Sequence, residues 1–200
     1  MLSIANLNAN FCPICSELAD GLPIATEIHG RVSSPYHGNV LVDNFHIQDG
    51  LRHFLQTTYD TFSRLDNAWN LRKLVSNLLG MWEGKYLENQ VAGLLLSFEY
   101  LLTKYLHAQG VSGLEDLNIQ QKIQQANGSL RFIPSRMQGA DLREGVRNPL
   151  FHQGEIVFAD DNTLTEYYQE YSDLLFRIMF RILGYSGQFI SRVNYEPTSV

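Results

Sequence analysis

Cysteine is nearly missing from this 200-residue chain: it has two, Cys12 and Cys15, only three positions apart. A pair that close is no disulfide framework for a secreted domain, so the expected compartment is a reducing cytoplasm. Zinc usually takes four ligands in two such pairs, and no second CxxC exists. Cys12 and Cys15, completed by His29, His37 or His46, are the metal candidates that remain, and no cofactor is expected. Positive charge is scarce as well, with 15 Lys and Arg against 21 Asp and Glu, a net charge of −6. With a pI near 5.4 the chain lacks an overall basic footprint. That excludes a general nucleic-acid coat protein and requires any phosphate site to be locally positive against the global field. Long hydrophobic runs are missing too. The most apolar stretch, "VAGLLLSFEYLLTKYL" (91–106), meets Glu99 and Lys104 before it could span a bilayer. No charged and apolar leader opens the chain, so the expectation is a soluble protein with no membrane partner. Walker loop, dinucleotide fingerprint and nucleophile elbow are also absent from the sequence.

What is present suits one domain with a short appendage and a sizeable core. Residues 1–48 are rich in Asn, Gly, Pro and His and read as irregular, with one expected hairpin in "RVSSPYHGNVLV" turning at Ser34-Pro35 or His37-Gly38. From Asp49 the pattern becomes helical and stays so to about residue 186. Asp49 is placed to cap a helix in which Leu51, Phe54, Leu55, Tyr59 and Phe62 recur at three- and four-residue steps. A second helix is expected over 68–81 and a third over 85–108, the latter apolar around most of its circumference and so central. A shorter polar helix follows, stopped by Asn127-Gly128, and then broken helical pieces over 131–154. Thr163 and Glu166 have capping-box spacing at the start of a last long helix running to Gly184. Residues 187–200 read as a flexible tail. The expected fold is an all-α bundle of five or six helices with a small irregular N-terminal region.

One stretch carries chemistry: "RNPLFHQG", residues 147–154. Arg147 and His152 lie five positions apart, a divergence of about 140° on a straight α-helix. Pro149 removes a backbone donor and bends or restarts the helix, and Asn148 is suited to cap a helix beginning there. A kink of that kind can turn guanidinium and imidazole toward one pocket. Arginine offers a planar fork for a phosphate, and histidine trades a proton near neutral pH. Together they suit metal-free cleavage of a phosphodiester. The same two residues at a helix terminus also serve simply to satisfy carbonyls and the helix dipole.

With its neighbours, "LREGVRNPLFHQG" resembles the signature of the HEPN superfamily (higher eukaryotes and prokaryotes nucleotide-binding domains), an Arg followed after four to six residues by His. It is close to the R-N-x-x-x-H-x-G form of bacterial members linked to abortive infection and toxin systems. "QVAGLLLSFEYLLTKYL" before it and "YYQEYSDLLFRIMFRIL" after it match the family's long apolar helix bearing an acidic residue and its following long helix. The likeness spans about residues 49–186. It implies a helical bundle acting as a metal-independent endoribonuclease, a homodimer whose two Arg–His motifs meet across the interface, with RNA as substrate. It implies further that Arg147 polarises the scissile phosphate, that His152 is the general acid or base, and that Asn148 orients the pair. Pro149 departs from the ordinary helical residue many members carry. Phage defence or toxin–antitoxin biology, with an antitoxin or regulatory partner, follows from the same likeness. Some members are catalytically silent modules that dimerise or bind a nucleotide or partner protein.

Supporting residues are expected around this motif. Arg131, Arg136, Arg143 and Arg147 outnumber Asp141 and Glu144, a local excess of two positive charges that fits either a phosphate site or a solvated helix face. Glu99 lies in an otherwise apolar helix, where a carboxylate is costly unless paired. Glu99 and Arg143 are therefore read as supports of the site, Glu99 through a salt bridge to a motif-side arginine or else as an exposed stripe position. Tyr167, Tyr168 and Tyr171 fit base stacking, but an aromatic stripe at helical spacing is more often a core or dimer face.

Overall fold

The computed structural model describes residues 14–19, 22–28, 42, 50–82, 86–130, 142–153 and 161–200. Over these residues the chain is an all-α bundle with small hairpins at either side. Helix α1 spans Leu51–Trp69, α2 Leu71–Trp82, α3 Leu87–Ala108 and α4 Ile119–Leu130. A π-helical segment, Leu142–Arg147, runs directly into the short α5, Asn148–Gln153, and α6 covers Asp161–Ile182.

The helix boundaries follow local chemistry. Gly50 occupies the N-cap of α1 with no side-chain cap, while Asp49 lies outside the described residues. Between α1 and α2 a single residue, Asn70, takes the left-handed conformation (φ 53°), which asparagine tolerates better than most residues. Asp66 secures that corner, accepting from the Arg72 amide at 2.9 Å and pairing with its guanidinium at 2.7 Å. Helix α4 opens on a reciprocal capping box, Asn118 with Gln121, at 2.9 and 3.0 Å. It continues through Asn127-Gly128 to Leu130, so the expected stop lies inside the helix. Likewise α6 begins at Asp161, ahead of Thr163, and the expected Thr163–Glu166 box does not mark its start.

Helix α3 is central, as its nearly continuous apolar surface requires: Leu94, Leu95, Phe98, Leu101, Leu102 and Leu106 are buried, with α2, α4 and α6 packed around it. A second apolar focus joins the two ends of the helical region. Phe54 of α1 meets Phe180 of α6 and Tyr185 edge-on at 5.6 and 5.2 Å, and Phe189 closes on Phe180 at 5.8 Å.

Two hairpins lie outside the helices, and the second corrects the reading of the C-terminus. Strands β1 (Ile14–Ala19) and β2 (Leu22–Ile28) pair antiparallel, with a register shift between Glu17 and Leu18. This pair precedes the 31–42 segment, where a hairpin is expected from the sequence. Apart from the buried Val42, that segment lies outside the described residues. Residues 187–200, expected to fray, form β3 (Gln188–Ile190) and β4 (Pro197–Ser199), an antiparallel pair. Phe189, Ser191 and Arg192 are buried, so this hairpin is fastened to α6 by both apolar and polar contacts. Among the described residues no helix is long and apolar enough to cross a membrane.

Candidate functional site

Helicity is unbroken from Leu142 to Gln153, although Pro149 stands in its middle. In a plain α-helix the proline ring collides with the carbonyl four residues back, here that of Gly145. The wider π turn that precedes α5 relieves this conflict, and such turns recur at functional positions. Asn148 is consequently half-buried within a continuous helical stretch, not a cap ahead of a new helix. The bend or restart expected at Pro149 takes the form of a change of helix type just before it.

This geometry separates the two motif residues. Arg147 turns toward the bundle, where its Nη2 donates to Glu99 Oε2 at 3.3 Å. Its guanidinium carbon lies 5.5 Å from the ring centre of Phe151, one turn further on, a cation–π arrangement. His152 follows Phe151, about 100° further around the helix, and is exposed. Among the described residues no hydrogen bond joins Arg147 to His152. Within one chain the motif therefore presents a held guanidinium at the end of the π segment and a solvent-facing imidazole on α5.

Glu99 is more than a partner for Arg147. Its other oxygen, Oε1, accepts from Lys122 Nζ of α4 at 3.2 Å. The side-chain exposures rank the three: Lys122 8 %, Glu99 24 % and Arg147 33 %. One carboxylate thus stands between a buried ammonium and a partly exposed guanidinium, and the group carries a surplus positive charge. That is the local positivity an acidic chain needs wherever it is to hold a phosphate. Lys122 was not singled out from sequence, although it shares the buried stripe Ile119–Ile123–Ala126, where a lysine has no reason to be unless it finds an anion. Phe151 was missed too; its i+4 spacing from Arg147 was the available signal.

The other candidates fall elsewhere. The Arg143 side chain lies outside the described residues, as does Cys12; Cys15 sits in β1 opposite Glu27. Tyr168 and Tyr171 are buried in the core, and Tyr167 stacks on Tyr171 at 6.0 Å, the rings only 8° from parallel. These tyrosines line, with Leu94, Leu95 and Val146, a small apolar crevice behind the π segment. Burial pushes the Tyr168 phenol up to about 12, against the opposing pull of Arg192 and Ser172. Beneath the C-terminal hairpin, Asp173 accepts from the Ser191 hydroxyl and, at 2.6 Å, from the Arg192 amide. Burial raises the Asp173 carboxyl above its usual range, outweighing Ser191, the Arg192 and Val193 amides and the charge of Arg177. This second polar cluster fastens the hairpin and contains none of the motif residues.

No protein-family model matches the chain, and neither does any curated protein or any solved structure.

Proposed function

We propose that the chain is a HEPN-type, metal-independent endoribonuclease acting as a homodimer, in phage defence or toxin–antitoxin biology. The observation that carries this reading is the Glu99–Arg147 contact at 3.3 Å, at the end of the π segment that runs into the short helix bearing the exposed His152. A guanidinium lying between a carboxylate and an aromatic face is already confined to the motif surface, and its planar fork suits two phosphate oxygens. In the reaction, the imidazole of His152 takes the proton from a ribose 2′-hydroxyl. The 2′-oxygen attacks the neighbouring phosphorus, and the 5′-oxygen leaves with a proton returned by a general acid. Arg147 stabilises the charge that gathers on the phosphoryl oxygens. The products are a 2′,3′-cyclic phosphate and a 5′-hydroxyl, and DNA is resistant because it lacks the nucleophile. Pairing two copies brings a second histidine to the cleft, supplying acid and base together.

A second reading has its own support. An arginine tied to Glu99 and lying over Phe151 is also what a silent HEPN module would use to brace α5 against α3, leaving the exposed surface for a partner protein. One assay separates the two. Purified chain is incubated with RNA in the presence of EDTA, alongside the His152→Ala variant and with light scattering to read the assembly state. Cleavage by the native dimer that ignores EDTA and disappears in the variant supports the enzyme. Loss of cleavage on chelation rejects the mechanism, and an inert native dimer leaves the silent module.

A further inference from the structure

We propose that Glu99 and Lys122 make the site beneath Arg147 an exchange site: a phosphate ester takes the guanidinium over from Glu99 while Lys122 keeps the carboxylate neutralised. The inference rests on the reading of Arg147 as a phosphate-binding residue. Its starting point is the count of charges. Glu99 Oε1 faces Lys122 and Oε2 faces Arg147, at 3.2 and 3.3 Å, so two cations share one anion. The two are not equivalent. Lys122 projects from the inner stripe of α4 and is almost wholly buried, whereas Arg147 is a third exposed and rests on the half-open face of Phe151.

The more exposed cation is the one an incoming anion can reach. If Arg147 were the only partner of Glu99, drawing it away would strand a partly buried carboxylate, and that penalty would be charged against every phosphate bound. Lys122 removes the penalty, because the carboxylate keeps a buried counter-ion throughout. The surplus positive charge of the trio is then matched by the phosphate. Phe151 gives the guanidinium a face to move along, since a cation–π contact is tolerant of lateral displacement in a way a hydrogen bond is not. Lys122 is thus a positioning residue: it touches no substrate and acts through Glu99 on Arg147.

Exchange differs from simple attraction in a way a double-mutant cycle detects. The full chain is titrated calorimetrically with inorganic phosphate, ionic strength being held constant with chloride. Native protein binds, and Arg147→Ala does not. Lys122→Met weakens binding by about tenfold in the native background but by less than about twofold where Glu99→Gln has already removed the carboxylate, a coupling of the size contacting residues show. An equal loss in both backgrounds means that Lys122 is only a nearby charge, and it overturns the proposal; so does a native chain that ignores phosphate. A measurement on the unmutated chain covers variants that fail to fold. On adding phosphate, the side-chain NMR signal of the Arg147 guanidinium shifts while that of the Lys122 ammonium stays. Movement of neither signal, or of both together, overturns exchange. RNA cleavage is scored separately. Coupled phosphate binding without cleavage refutes the enzyme and leaves the exchange site; cleavage without the coupling refutes the exchange site alone.

Discussion

His152 and Glu99, both assigned to the proposed site, are opposite in what their removal should do. His152 is exposed, so His152→Ala is expected to change stability by no more than about 0.5 kcal/mol, the usual range for a surface position. In the proposed reaction it is the proton carrier and acts mainly in the transition state, so cleavage is expected to vanish while RNA binding persists. A variant that instead melts many degrees lower would show the imidazole to be structural. Glu99→Gln is the reverse case. It leaves the buried Lys122 ammonium without its anion, and a stranded charged partner costs about 1–3 kcal/mol or more. A clear drop in melting temperature is therefore expected, measured by circular dichroism. An unchanged melting temperature would mean that Lys122 gains nothing from the carboxylate.

At the scale of elements, the π segment and the C-terminal hairpin each make a prediction. Pro149→Ala restores a backbone donor and removes the ring that conflicts with the Gly145 carbonyl, so the Leu142–Arg147 turn is free to tighten into α-helix. Thermal stability should hold or rise while phosphate affinity falls, because tightening re-aims Arg147 relative to Phe151 and Glu99. A calorimetric titration showing unchanged affinity would separate the proline from the site. For the hairpin, the Asp173 carboxyl is raised in the folded chain by burial. A raised carboxyl contributes stability that is complete below its ordinary value of 3.8 and is lost as pH rises through the raised one. Asp173→Asn keeps an acceptor for the Arg192 amide without the charge. Urea midpoints of variant and native protein should coincide in acid, and the variant should gain on the native as pH increases; the opposite trend would sink the argument. Legibility also differs by element. Helix α3 was readable because its apolar surface has no competing signal. A small hairpin in the N-terminal region was expected and β1 with β2 forms one, while its expected place at 31–42 lies, Val42 apart, outside the described residues. Three punctuation signals misled: Asn127-Gly128 lies within α4, whose stripe of buried residues outweighs a weak local breaker, while Thr163 and Asn148 proved to be inside helices. The pairing of Glu99 with an arginine could be argued from the cost of a carboxylate in an apolar helix. Lys122 could not, since its partner is 23 residues away and only the packing of α4 on α3 brings them together.

Over the whole molecule, the same acidic chain that disfavours RNA in general holds one surplus positive charge at Glu99, Lys122 and Arg147. Under the proposed function such contrast would limit binding to a few phosphates, and it sets the Glu99–Lys122–Arg147 group apart from the polar cluster that fastens the hairpin. The cluster of Phe54, Phe180, Tyr185 and Phe189 joins the first helix of the bundle to the last hairpin. Seen in time, that contact closes the longest loop of the helical region, and long loops close late because their entropy has to be overcome before any contact rewards them. The α2–α3–α4 neighbours, close in sequence, are then expected to form early and the ring cluster to close last. Phe54→Ala should lower stability by about 3–5 kcal/mol, and nearly all of that loss should appear as faster unfolding with the refolding rate almost unchanged. Stopped-flow chevrons measure this directly. A slower refolding arm would move the nucleus to the two ends of the chain, and an unchanged one makes the ring cluster a timer: the bundle forms without it and lasts only as long as it stays shut.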